Sequence, residues 1–273
     1  MNPRESLPDI NRLSIVAAVI MLSFALTQLV SFPTQVYSFS AFGIVLDFSL
    51  NIQTPIILLT AFLAAAGMDW LILSHPAHER YQSRWEYVRH WILPILTTFA
   101  IGMTLSAFAG GIQWLVMFGL GSILFMAVLI SEYNVINTED ERHPIATIGL
   151  TGLSFALYLL LVIAVNSANL RLYILLPILA FGAMMVIART LYLRLGNWYT
   201  LWALVLSLIV SQIAIGFHYL PLSPTQFGVL LMGCAYALTS TITAIIEKRQ
   251  GCAFWSEPVS MFVMMVLFSF LWA

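Results

Sequence analysis

Charge is what this sequence has least of. Lys, Arg, Asp and Glu make up 8% of its 273 residues, against 61% hydrophobic residues and a mean hydropathy of +0.94. A soluble domain carries about 25% charged residues, so this chain lacks the polar groups to cover a water-facing surface. Lysine is nearly missing. Lys248, the only one, lies at the end of an apolar run, where a buried Schiff base of the retinal kind is hard to place. Cys234 sits inside an apolar run and Cys252 in a connection, a pair too sparse to serve as a disulfide framework. The phosphate loop GxxxxGK[ST], the elbow GxSxG, the zinc motif HExxH and the redox motif CxxC are all absent. Five histidines form no familiar haem or metal pattern, so no cofactor is indicated. No cleavable signal or lipid anchor is expected either, because no small-x-small site follows the first apolar run and residue 2 is Asn.

What is present is a series of long apolar runs. They cover residues 13–32, 54–74, 90–109, 112–131, 144–165, 171–192, 198–218, 224–246 and 257–272. Each approaches the roughly 20 residues that a helix needs to cross a 30 Å hydrocarbon core. A barrel strand needs only about 9–11 residues of alternating character. The expected fold class is therefore all-α, a polytopic integral membrane bundle of about nine transmembrane helices. Residues 1–12 would form a short cytoplasmic segment and 13–273 a single transmembrane domain. Local signals support several helix starts: Thr54 before Pro55, Ser223-Pro224 with Gln226 as a capping box, and more loosely Ser256 with Pro258. Pro94 and Pro177 fall inside runs three and six, and Gly110-Gly111 reads as a tight turn.

Residues 36–50 resist the pattern. They are apolar enough to enter lipid, but Asp47 and Asn51 interrupt them. The expectation is a short re-entrant or interfacial helix that does not cross. Charge bookkeeping favours that choice. With nine spans and a cytoplasmic N-terminus, ten of the eleven Lys and Arg residues face inward and only Arg171 faces out. A tenth span at 36–50 would move Arg4 and Arg12 outward and weaken this positive-inside asymmetry. The implied location is a prokaryotic plasma (cell inner) membrane, with the C-terminus external.

Three sets of residues are candidate sites. Asp69 lies within an apolar run, where a carboxylate must be paired, hydrated or protonated. Arg189 lies at similar depth and is its expected partner, while Gln212 is expected to hydrogen-bond between helices. Structural pairing and a solute or ion site are both open readings of this set. A second cluster gathers His75, His78, Glu132, Glu139 and His143 at the cytoplasmic face. Two histidines three apart share a helix face, and the carboxylates could complete a metal site or act as bases. Pro76 argues against a regular helix there, and a solvated loop explains the same residues. The third set, Asp47, Arg171 and His218, faces outward, with the Arg171 fork suited to a carboxylate or anionic head group. Interfacial capping is the competing reading.

The pattern resembles uncharacterised multi-pass bacterial membrane proteins, a resemblance that implies no activity. Three functions remain in view. A non-catalytic accessory or scaffold role in a membrane assembly leads, on the sparse intramembrane polar groups and short loops. A small-solute or lipid transporter would need polar side chains converging on a midplane cavity. A lipid-directed enzyme would need an open cytoplasmic-face pocket with at least two close acid, base or metal-ligand groups. The expected partners are the lipid bilayer and a membrane protein or second copy, and no nucleic acid.

Overall fold

The computed structural model describes residues 9–29, 35–41, 44–50, 53–74, 88–108, 110–136, 143–168 and 170–271. Among these, nine helices are long and apolar enough to cross a membrane. They are α1 (Ile10–Leu29), α2 (Gln53–Ile72), α3 (Val88–Ser106), α4 (Gly111–Val135), α5 (His143–Ser167), α6 (Leu172–Leu195), α7 (Thr200–His218), α8 (Pro224–Ile246) and α9 (Cys252–Leu271). At 1.5 Å per residue they run about 28–38 Å, the thickness of a bilayer core. The protein is a multi-pass helical membrane bundle.

Residues 36–50 are not helical. β1 (Gln35–Ala41) and β2 (Ile44–Leu50) pair antiparallel, from Gln35 opposite Leu50 to Ala41 opposite Ile44. This corrects the expected re-entrant or interfacial helix. The physical reason is in the side-chain order: aromatic residues alternate with serine through Tyr37-Ser38-Phe39-Ser40, a period of two that a strand uses and a helix does not. Pairing Gln35 with Leu50 also returns the chain to the place it left.

Helix termini follow their local chemistry. The Ser223 hydroxyl accepts from the Gln226 amide while the Gln226 side chain accepts from the Ser223 amide, a complete capping box ahead of Pro224. Gly110 and Gly111 both have positive φ, 105° and 82°, and make the expected turn into α4. α6 stops at Gly196, whose φ of 71° is the left-handed cap that glycine adopts without penalty. α9 begins at Cys252, so Ser256 and Pro258 lie inside its first turns and do not start it.

The interior has two apolar cores. One joins α1, α2, α3 and α4 around Ile20, Phe24, Met68, Leu71, Phe125 and Leu129. The other joins α5, α6, α7 and α8 around Tyr158, Leu161, Leu179, Ile187 and Leu231. α3 belongs to both: Leu96 and Ala100 enter the second core, Ile101 and Leu105 the first. Close approaches rest on small residues. A Cβ at Gly182 would lie 2.6 Å from Leu161, and one at Gly233 would lie 2.9 Å from Met265 of α9.

Several buried hydroxyls bond within their own helices, whereas those of Thr147, Tyr158, Thr190 and Ser240 have no partner among the described residues. Thr60, Thr97, Thr98, Ser154, Thr239 and Thr243 donate to carbonyls four residues back. The bundle surface, in contrast, is apolar, with residues such as Ile112, Ile148 and Leu201 facing outward. Those side chains fit a lipid environment.

Candidate functional site

The basic end of the bundle holds the chemistry. It is the end where α1, α3, α5, α7 and α9 begin and α2, α4, α6 and α8 finish. Glu132 stands one turn before the close of α4 and is fully buried. Arg189 of α6 is buried as completely and clasps it through two nitrogens: Nε donates to Oε1 at 3.1 Å, and Nη2 donates to Oε2. From the third residue of α3, His90 Nδ1 lies 2.8 Å from the same Oε2. A carboxylate held by arginine only accepts, so Nδ1 carries the hydrogen of this bond. A bidentate guanidinium–carboxylate pair is the strongest polar contact that side chains offer.

The cluster has a floor and a lid. Leu93, Val128, Val135 and Leu150 form a small apolar core from α3, α4 and α5 beside it. The Tyr192 ring lies 5.7 Å from the Arg189 guanidinium carbon and 4.8 Å from that of Arg89. Arg89 also donates to the Tyr192 hydroxyl. Three helices are tied by one carboxylate. Glu132 and Arg189 meet across α3 and α5, each of which packs against both α4 and α6.

A second charged knot joins the last helices. The Glu257 carboxylate of α9 accepts from Arg194 of α6 and from the Tyr236 hydroxyl of α8, both at 2.8 Å, and from Arg249 at 3.1 Å. Arg249 also donates to Glu247 at 2.6 Å. These two carboxylates raise the Arg249 guanidinium above its ordinary pKa, Glu247 contributing most. On the first helices, Arg12 donates to the Trp70 carbonyl at 3.2 Å and lies over the Trp70 ring.

The expected sites are rearranged by these contacts. Asp69 is half-buried, and the partner of Arg189 is Glu132. Counting depth along α6 does not identify the partner of Arg189, because α3 and α5 pack against both α4 and α6 and bring Glu132 to Arg189. Gln212 faces outward on α7 and makes no hydrogen bond to any described residue, so the expected interhelical bond within the chain is absent. Glu132 leaves the proposed loop cluster to become the buried anion. His75, His78 and Glu139 lie outside the described residues, and His143 is the first residue of α5. Among the described residues no group of three or more His, Cys, Asp or Glu is placed to hold a metal ion. Of the outward set, Asp47 is opposite Ser38 in the hairpin, Arg171 precedes α6, and exposed His218 closes α7 edge-on to Tyr219.

Sequence reasoning missed His90, Glu257, Tyr192 and Tyr236. His90 and Glu257 each stand inside the first turns of a span, a position where a polar group suits water as readily as the interior.

The space between α2 and α6 is apolar. A cleft of about 470 Å³ opens between α2 and α6 over α3, lined by Leu58, Phe62, Phe99, Leu161, Phe181 and Met185 among others. No charged side chain lines it.

The family model for a protein of unknown function, DUF5656, matches residues 32–272. The chain belongs to the DUF5656 family. The match takes in both strands and all the helices from α2 to α9, with α1 ahead of it. No curated protein and no solved structure matches the chain.

Proposed function

We propose that this DUF5656 protein is a non-catalytic accessory or scaffold component of a membrane assembly. One observation carries the reading: the buried Glu132 carboxylate is fully engaged by its neighbours, with Nη1 of Arg189 the one nitrogen of that guanidinium buried without a partner among the described residues. Both oxygens of Glu132 are engaged by Arg189 and His90, and buried threonines such as Thr97 and Thr239 are bonded to their own helices. A transporter would aim such groups into a midplane cavity, and an enzyme would leave two of them open to a substrate. The closed Glu132 cluster and the apolar cleft between α2 and α6 favour the accessory reading over both. The outer surfaces of α4, α7 and α9 are broad and apolar, as a subunit that packs beside others requires. The charge asymmetry supports a plasma membrane of prokaryotic type, with the N-terminus and the basic end cytoplasmic.

Size and flux test this together. Extracted from its native membrane in mild detergent, the protein should migrate in a particle heavier than two copies of the chain. Purified protein in proteoliposomes should show the same proton leak with wild type and Glu132→Gln. A pH-driven flux that Glu132→Gln abolishes without loss of melting temperature would replace this reading with a transport function.

A further inference from the structure

Gln212 is an exposed amide deep within a span. It lies 12 residues into α7 and 6 before its end, so about 18 Å and 9 Å of helix flank it. Its amide is exposed on the outer surface and is without a hydrogen bond among the described residues. Other outward hydroxyls at depth, such as Ser23 and Ser211, donate to carbonyls of their own helices. An amide in hydrocarbon with nothing to bond to is unfavourable, since neither lipid tails nor bulk water can satisfy it there.

Its surroundings are ordered. Counting along α7, Leu201, Val205, Leu208, Gln212, Ile215 and Tyr219 are spaced four, three, four, three and four residues apart. All but Ile215 are exposed, and Ile215 is half-exposed. That is the a/d spacing of a left-handed helix pair, with one polar residue in an otherwise apolar seam. Gly216 is exposed beside Gln212, and no other group lies within 4 Å of where its Cβ would be. The opposite face of α7 is committed to the core through Ala203, Leu206, Val210 and Ala214.

We propose that α7 pairs with α7 of a second copy, with the two Gln212 amides bonded to each other across the twofold axis. The choice of a second copy follows from geometry and charge. Copies inserted with the same orientation, related by an axis along the membrane normal, place Gln212 against Gln212 at one depth. A primary amide has both a donor and an acceptor, so it is complementary to itself, as an isologous interface demands. A single polar residue in an apolar seam also fixes register and excludes sliding. This inference goes beyond the assembly reading and stands or falls separately from it.

The test is disulfide capture in membranes, using full-length protein with Cys234→Ala and Cys252→Ser as background. Leu208→Cys should give a covalent dimer under mild oxidation, and Ile123→Cys, on the exposed face of α4, should not. In lipid discs the wild type should dimerise, Gln212→Leu should dissociate about tenfold more readily, and Gln212→Asn should retain most of the affinity. Gln212→Leu should keep the melting temperature of the dilute monomer. A wild type that stays monomeric at high protein-to-lipid ratio overturns the proposal. So does a dimer captured through Ile123 and not Leu208, a Gln212→Leu dimer of undiminished affinity, or a loss of monomer stability in that variant. Capture of a different polypeptide through Leu208→Cys, with the pure protein monomeric, would also overturn it.

Discussion

Glu132 shows how a single buried anion organises its neighbours. Removing water from a carboxylate is costly, and the compensation comes from geometry: two nitrogens of Arg189 and one of His90. His90 should therefore matter for more than packing. His90→Leu deletes one donor and leaves the bidentate pair, so a loss of about 1.5–3 kcal/mol is expected, in the range of a hydrogen bond to a charged group. His90→Gln keeps a donor on the same helix face and should recover part of that loss. Unfolding in a graded detergent series measures both. The half-exposed Glu257 sets a contrast. Solvent screening weakens its pairs with Arg194 and Arg249, so Glu257→Gln should destabilise by no more than about 1 kcal/mol.

Among the elements, the helices were legible and the hairpin was not. Runs such as 112–131 and 224–246 announce spans because an apolar stretch near 20 residues has few other uses. The observed α4 and α8 extend or match them, as Gly111–Val135 and Pro224–Ile246. Residues 36–50 were judged by how apolar they are, while their period of two carried the information. The expectation that they do not cross leads to a test. Reporters at Thr34 and Asn51 should read out on the same side of the membrane; opposite sides would require a crossing. Site residues were legible only in part, for a physical reason. Depth can be counted along one helix, yet a partner depends on which helices become neighbours, and for Arg189 that partner is Glu132. Nothing in the local sequence of α3 says that it will stand between the two cores. Local chemistry did reveal the start of α8, and Ser223→Ala should cost about 1 kcal/mol by removing the hydroxyl that accepts from Gln226.

At the scale of the whole molecule, two apolar cores share α3, and the Glu132–Arg189–His90 cluster pins their junction at the basic end. The proposed orientation, with the basic end cytoplasmic, has its own test. Cysteines replacing Arg12 and Arg171 in the cysteine-free background should label from opposite sides, with position 12 inside. The central claim is that the cluster is a clamp and not a working site. A double-mutant cycle on Glu132 and Arg189, read as unfolding free energy beside proton flux, tests it most directly. Glu132→Gln and Arg189→Met should each lose about 3–5 kcal/mol, because each strands a buried charge or its donors. The apolar pair Glu132→Met with Arg189→Met should regain most of that loss, and flux should not change in any variant. Single variants that unfold like wild type while a flux disappears would contradict the account.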